Sequence, residues 1–261
     1  MRSLSIAATG MSAQQLFVDT TSQNLANINT TAYKLQRAEF QDLLYQNLRV
    51  AGANSSDNGT IIPTGIQVGL GVKTAAISRN NEQGGMQSTS NTFDLAVQGN
   101  GYFQITQPDG SLAYTRDGSF KLSPDGIIVT ADGYQLEPAI TIPQNAVDVN
   151  IDQTGQVSVT IQGTTTPQIV GQIQTVNFVN GAGLQAIGNN LYLETTASGS
   201  PLLGSPGSDG FGTLLQGFLE TSNVDPITEL TNLIRAQRAY EMCSQIISKS
   251  DEMLQNLNQS V

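Results

Sequence analysis

Four Asp-Gly pairs, Asp109-Gly110, Asp117-Gly118, Asp125-Gly126 and Asp132-Gly133, form the densest run of side chains with chemical potential in this chain. Carboxylates presented on turns are ligands for hard cations such as calcium. The pairs step by eight, eight and seven residues, and fit neither the twelve-residue calcium loop nor the glycine-rich nonapeptide repeat. Such steps suit short strands joined by tight turns, because Asp and Gly both tolerate positive φ. The pairs therefore read as hairpin turns.

Other chemistry is thinner still. The chain has no histidine, no tryptophan and a single cysteine, Cys243. No Ser-His-Asp or Cys-His nucleophile can be assembled, and no His/Cys zinc site fits within one chain. No intrachain disulfide can form, and Cys243 reads as a small packed helix residue. The segment Gly69–Thr74 (GLGVKT) faintly resembles a phosphate loop, but Val72 separates Gly71 from Lys73, so the Gly-Lys-Thr element is missing. Gly99-Asn100-Gly101 lacks the third glycine of a dinucleotide fingerprint. A carboxylate-only glycosidase stays open on composition, yet no Asp or Glu pair is singled out by its surroundings. We expect no catalytic, cofactor-binding or metal residues, no cofactor and no enzymatic activity.

Hydrophobic residues make up 38 % and charged residues 12 % of the chain, below the usual about 45–50 % and about 25 %. The balance is Gly, Ser, Thr, Asn and Gln. Such a neutral polar surface lets identical copies pack without like-charge repulsion, and it equally suits a soluble β-rich protein. The net charge is -10 with 11 basic residues that do not cluster, so nucleic acid is a poor partner. Most of the acidity lies in residues 52–220, with 13 Asp/Glu against four Lys/Arg. No run approaches the ~18–20 apolar residues of a membrane span, and no direct membrane insertion is expected. The apolar run Leu4–Ala8 is too short for a cleavable signal. Work outside the cytoplasm would need export by another route.

The elements follow from punctuation. Twenty-five of the 26 glycines lie between Gly52 and Gly217, and eight of the nine prolines between Pro63 and Pro206. The ends are thus helical and the middle is strands and turns. A first helix runs from Ser3 to Asn27 or Asn29. Gly10 inside it costs about 1 kcal/mol relative to Ala, a cost that a close helix–helix approach would justify. A last helix starts at an Asp225 cap with Pro226 in the first turn, and reaches Asn258. Residues 36–50 carry a shorter helical pattern through Phe40, Leu43, Leu44 and Leu48. Ala51–Thr60 reads as an extended excursion, and Pro63–Val72 as a strand. A meander spans Tyr102–Leu136, with further strands at Val147–Ile151, Gln156–Ile161, Ile169–Phe178 and Leu191–Glu194. Ser198–Gly212 reads as a loop.

Each terminal helix carries a seven-residue repeat. Leu4, Met11, Val18 and Leu25 mark the first, with Ala7, Gln14, Thr21 and Ile28 interleaved. Leu233, Tyr240, Ile247 and Leu254 mark the last, with Leu230, Gln237, Ser244 and Asp251 interleaved. Ile227, Ile234 and Ile246 widen that stripe. Such seams are the demand of coiled-coil packing. Both are too thin and polar to hold a lone helix pair, and fit an array of many copies. The expected fold is α+β: long N- and C-terminal helices paired as a coiled coil, with an inserted antiparallel all-β domain. The expected division is an N-terminal helix (1–34), an extended and short-helix connector (35–72), a β-rich outer domain (73–221) and a C-terminal helix (222–261). The expected assembly interface is Leu4, Met11, Val18, Leu25, Ile28, Leu230, Leu233, Ile234, Gln237, Tyr240, Ile247 and Leu254.

Three blocks carry a likeness. Asn24-Leu25-Ala26-Asn27-Ile28-Asn29-Thr30 through Tyr33-Lys34 resembles the N-terminal signature of bacterial flagellar rod and hook axial proteins. Ser222-Asn223-Val224-Asp225, followed by Gln237-Arg238-Ala239-Tyr240-Glu241, resembles their C-terminal signature. Phe93–Ile105 (FDLAVQGNGYFQI) and Ala113–Phe120 (AYTRDGSF) agree in the centre. The chain's length and its Phe40–Val72 stretch resemble the distal-rod type. The family often has Gly-Phe where this chain has Ala32-Tyr33.

The resemblance implies a structural subunit exported by the flagellar type III apparatus without signal cleavage. It implies terminal helices that are loosely ordered in the monomer, fold against neighbours and line an inner tube, with β domains outside. The assembly would be a straight hollow shaft of the basal body, crossing the periplasm inside ring bushings and transmitting torque to the hook. Its partners would be copies of itself, other rod proteins, hook protein, the rings and the export apparatus. A proximal rod or hook-type protein is the near alternative. An extracellular β-rich binding protein with helical ends is the distant one, and would stay monomeric at rising concentration.

Overall fold

The computed structural model describes residues 2–49, 64–163 and 166–259. It is α+β, with a helix at each end and strands between. The chain forms two compact units. The first comprises Met1–Ala26, Gln36–Arg79 and Asp225–Val261, the second Asn27–Leu35 and Asn80–Val224.

In the first unit, helix α1 (Arg2–Ala26) and helix α2 (Pro226–Gln259) accompany two antiparallel ribbons. Strand β1 (Gln36–Asp42) pairs with β4 (Val72–Arg79), and β2 (Tyr45–Arg49) with β3 (Ile66–Gly69). The helix expected over 36–50 is therefore two strands. Phe40, Leu43, Leu44 and Leu48 do repeat at helical spacing, but a distant partner satisfies the backbone of 36–42. Tertiary pairing outweighs so weak a local preference. Ala38 and Phe40 alternate onto α1, where the Phe17 and Phe40 rings meet edge-on at 6.5 Å. The β2–β3 ribbon leaves Leu44, Tyr45, Leu48 and Ile66 exposed. The Ala51–Thr60 excursion lies outside the described residues.

Gly71 explains the segment that resembled a phosphate loop. It sits at φ +126°, and a Cβ there would collide with the Thr9 hydroxyl. The same hydroxyl accepts the Val72 amide at 3.4 Å. This glycine lets the connector approach α1.

The second unit is built of strands, with one 3-10 turn at Gly181–Gly183 among the described residues. Its strands are β5 (Met86–Ser88), β6 (Leu95–Gln98), β7 (Tyr102–Thr106), β8 (Leu112–Thr115), β9 (Lys121–Leu122) and β10 (Ile128–Val129). They continue with β11 (Gln135–Glu137), β12 (Ala146–Ile151), β13 (Gln156–Ile161), β14 (Gln168–Gln172) and β15 (Thr175–Asn177). The last are β16 (Gln185–Gly188), β17 (Leu191–Leu193), β18 (Leu202–Gly204), β19 (Thr213–Gln216) and β20 (Phe218–Glu220). The main sheet runs β16-β17-β8-β7-β11-β10-β9, with β15 joining β7 and carrying β18. A second sheet is β12-β13-β14, and β6–β19 and β5–β20 form short pairs.

The meander is present with one break. Asp109-Gly110, Asp125-Gly126 and Asp132-Gly133 turn between paired strands, each glycine at positive φ. Asp117-Gly118 does not make a hairpin, because β8 pairs with β7 and β17 while β9 pairs with β10. Gly118 is instead the point where the backbone of Leu95 lies against the chain: its carbonyl accepts the Leu95 amide at 3.0 Å, and a Cβ would collide with the Leu95 carbonyl. The loop expected over Ser198–Gly212 contains β18, an edge strand on β15.

Alternation on β7 builds two cores. Phe103 and Ile105 enter the larger, with Leu95, Phe120, Leu136, Val157, Ile173 and Leu214. Tyr102 faces the other way, with Tyr114, Val176, Phe178, Leu184 and Tyr192. In that smaller core Tyr114 and Phe178 pack edge-to-face at 4.8 Å, a favoured aromatic geometry.

Candidate assembly interface

The two helices run antiparallel along one another. Asn24 Nδ2 donates to Glu229 Oε2 at 2.9 Å, Gly10 lies beside Cys243, and Ser250 Oγ reaches Ser3 Oγ at 3.5 Å. The first two contacts are 14 residues apart on both helices and the last two are 7 apart. This register also sets Phe17 opposite Ala236. Glu229, Ala236 and Ser250 are buried and Cys243 is half-buried. A Cβ on Gly10 would stand 3.3 Å from Cys243 Sγ, so the glycine permits the close approach that its helix cost required.

The observed stripe on α2 keeps half of the expected seam. Leu233, Ile247 and Leu254 are half-buried, and Tyr240 is more exposed at the rim. The interleaved positions are Glu229, Ala236, Cys243 and Ser250, whereas Leu230, Gln237, Ser244 and Asp251 are exposed. On α1, Leu4, Met11, Val18 and Leu25 are half-buried, and the buried set is Ala7, Ala13, Thr20, Thr21 and Asn24. Small side chains hold this helix against α2 on one flank and the β1–β4 ribbon on another. Val18, Gln237 and Tyr240 come together with Gln15 and Glu241 around an open groove of about 370 Å³. Ile28 lies past the end of α1, in the 27–35 segment of the other unit.

Ile227, Leu230, Ile234, Met242, Ile246 and Met253 are all exposed, Ile227 at 76 % and Met242 at 58 %. At about 100° per residue, Ile227, Leu230 and Ile234 project from the side of α2 opposite Ala236, whereas Met242, Ile246 and Met253 lie along one flank, Ile246 about 80° from Ala236. Ile227 and Ile234 therefore belong to a second apolar stripe along the back of α2, while Ile246 stands on the flank of the first. Asp225 caps the helix: its carboxylate accepts the Ile227 amide at 3.3 Å and the Thr228 amide at 3.2 Å. The hydrogen bond from the Thr228 hydroxyl, foremost, holds its carboxyl below the usual carboxylate range.

Asn24 also completes a polar anchor within this unit. It accepts the Gln36 amide at 3.0 Å and donates to the Gln36 carbonyl at 2.8 Å. Glu229 is buried with no ion pair among the described residues; Asn24 and Asn232 donate to it. Its place in the first turn of α2 suits a carboxylate, which the helix N-terminus favours.

The second unit holds a buried charge cluster that the sequence alone did not reveal. Lys34 Nζ contacts Glu220 Oε1 at 2.6 Å, and Arg116 Nε contacts Glu220 Oε2 at 2.7 Å. The three side chains are 4 %, 7 % and 1 % exposed, in the order Lys34, Arg116, Glu220. Two cations face one carboxylate, and backbone carbonyls share the excess charge: Glu82 for Lys34, and Gly101, Val97 and Gly99 for Arg116. Gly84 adds an amide to Glu220 at 2.9 Å. Burial raises the Glu220 carboxyl, but Arg116 and Lys34 outweigh it and hold the group below its usual range. Burial pushes the Lys34 ammonium down. The signal lay in the resemblance blocks, since Tyr33-Lys34 and Ala113–Phe120 carry two of the three residues.

Comparison with known proteins agrees with these blocks. Residues 4–34 match the family described as flagella basal body rod protein. Residues 96–159 match the D1 domain of flagellar hook protein FlgE/F/G, and residues 215–260 the C-terminal region of flagellar basal body rod FlgEFG proteins. The chain is 55 % identical to the flagellar basal-body rod protein FlgG of Caulobacter vibrioides over 99 % of both chains. It is 49 % identical to the FlgG of Borreliella burgdorferi, over 97 % of this chain and 96 % of that one. It is 41 % identical to the FlgG of Bacillus subtilis over 98 % of both. The terminal helices, the β middle and this full-length identity together place the chain in the flagellar basal-body rod family, as a member of its FlgG branch.

Proposed function

We propose that this protein is the building subunit of the distal rod: copies assemble into a straight, hollow shaft of the flagellar basal body that transmits torque and carries export. The observation that supports the reading is the exposed stripe of Ile227, Leu230, Ile234, Met242, Ile246 and Met253, along the back and one flank of α2. Full burial of one such side chain is worth about 1.5–3 kcal/mol, a gain that neighbouring copies can supply. In this reading α1 and α2 pair as a coiled coil, and their outer faces pack on other subunits around a channel. Leu4, Met11, Val18 and Leu25 with Leu233, Tyr240, Ile247 and Leu254 hold the pair. Leu230 and Ile234 face the next copy, with Gln237 at the rim and Ile28 at the helix root.

The division into terminal helices (1–34 and 222–261), connector (35–72) and outer β domain (73–221) belongs to the same reading. So do export without signal cleavage, a periplasm-spanning position, and contacts with other rod proteins, hook protein, ring bushings and the export apparatus. The subunit serves as structure and has no catalytic step. A double substitution, Ile234→Asp with Ile246→Asp, tests the stripe. The expected variant stays soluble, keeps the strand signal of its β unit in circular dichroism, and forms no polymer in sedimentation. Normal polymerisation by this variant would refute the stripe as an interface.

A further inference from the structure

Residues 27–35 belong to no helix or strand, yet they are closely held within the β unit. The Ala32 amide donates to the Glu220 carbonyl at 2.8 Å. The Leu35 amide donates to Asn223 Oδ1 at 2.7 Å, and the Tyr33 carbonyl accepts the Asn223 amide at 3.4 Å. Asn190 Nδ2 bridges the Thr31 carbonyl at 3.3 Å and Asp117 at 3.0 Å. Lys34 closes the set on Glu220 and on the Glu82 carbonyl. Asn223 Nδ2 also donates to the Asn80 and Glu82 carbonyls at 3.1 and 3.0 Å. The anchors at Glu82, Asn190, Glu220 and Asn223 all lie in the β unit, far from the strap in sequence.

Residues 27–35 follow directly on α1, and Thr221–Val224 directly precede α2. From these contacts we infer that Asn27–Leu35 is a strap locked to the β unit before assembly, with Glu220 and Asn223 as the lock. The strap fixes the two points at which the chain leaves the β unit, Asn27 and Val224, in the free subunit. Between Leu35 and Glu220 the chain would otherwise have a long loop to close, at an entropic cost that grows with its length. A lock made in advance removes that cost from the assembly step, as preorganisation does in binding. The order that survives in a free subunit then ends at Ala26 on one side and starts to fail at Asp225 on the other. This inference rests on the reading of the helices as assembly elements.

Hydrogen exchange on the full-length monomer tests it, read by mass spectrometry at the amides of Ala32, Leu35 and Asn223. In the wild type these amides exchange far more slowly than those of α1 and α2. In Lys34→Met, which keeps the Arg116–Glu220 pair, the Ala32 and Leu35 amides exchange at least about tenfold faster, a change of about 1.4 kcal/mol in local opening. The amides of Phe103, Ile105 and Val157 stay as in the wild type. Glu220→Gln accelerates the strap further if it folds. Unprotected strap amides in the wild type, or unchanged strap rates in Lys34→Met, would overturn the lock. Polymerisation of the wild type is scored separately: its absence would count against the assembly reading and leave the strap result standing.

Discussion

Glu220 faces two buried cations, so a count of charges predicts how replacements differ. Glu220→Gln leaves Lys34 and Arg116 together in the interior, and uncompensated buried charge costs about 3–5 kcal/mol. Lys34→Met leaves the neutral Arg116–Glu220 pair and costs distinctly less. Denaturant unfolding of the two variants checks the order, and a Lys34→Met loss equal to or larger than that of Glu220→Gln contradicts it. The same carboxylate sets an acid limb. Its folded-state value lies below the 4.5 of a free glutamate, so the folded state binds this proton less readily than the unfolded chain. Its contribution is present above about pH 4.5 and is lost as pH falls through the lowered folded-state value. The thermal midpoint of the wild type is expected to drop on acidification below that pH, with a smaller drop in Glu220→Gln.

Ala32 gives a second prediction at this scale. It is buried and sits at φ +56°, a left-handed conformation that a side chain adopts at a cost. A glycine would fit that backbone freely. Ala32→Val adds a β-branched side chain there and is expected to destabilise the β unit by about 1–2 kcal/mol, while Ala32→Gly stays close to wild type. Thermal unfolding of both separates a backbone requirement from simple packing, which would penalise the smaller residue more.

Among the elements, the terminal helices were legible because glycine and proline avoid them and Asp225-Pro226 marks a start. The β1 and β2 strands were not, since Phe40, Leu43, Leu44 and Leu48 imitate a helix face and the strand partners lie beyond residue 65. Half of the α2 seam was readable in Leu233, Tyr240, Ile247 and Leu254. The other half is small or polar, and Ala236, Cys243 and Ser250 carry no hydrophobic signal. Cys243 packs where Gly10 permits a close approach, and Ser250 reaches Ser3. The Asn24–Glu229 pair spans 205 residues, and no local pattern announces it. The antiparallel register makes its own prediction. Gly10→Cys is expected to form an intrachain disulfide with Cys243 under mild oxidation, seen as a mobility shift on a non-reducing gel. Gln14→Cys is expected to stay reduced. Equal crosslinking of both would contradict the register.

At the scale of the whole molecule, the β unit has two packed cores and the helical unit has a seam of small residues. The difference assigns stability to the first and adaptability to the second. A helix whose inner face is Ala236, Cys243 and Ser250, and which leaves Ile227, Ile234 and Ile246 exposed, would gain its apolar burial from neighbours under the proposed assembly. The central claim is therefore that copies assemble through their terminal helices into a straight tube. Electron microscopy of the purified full-length protein at rising concentration, with and without rod-like seeds, tests it most directly. Straight hollow tubes from the wild type, and none from the Ile234→Asp, Ile246→Asp variant, are the expected result. A wild type that stays monomeric with seeds present, its terminal helices fully protected in hydrogen exchange, would contradict the account.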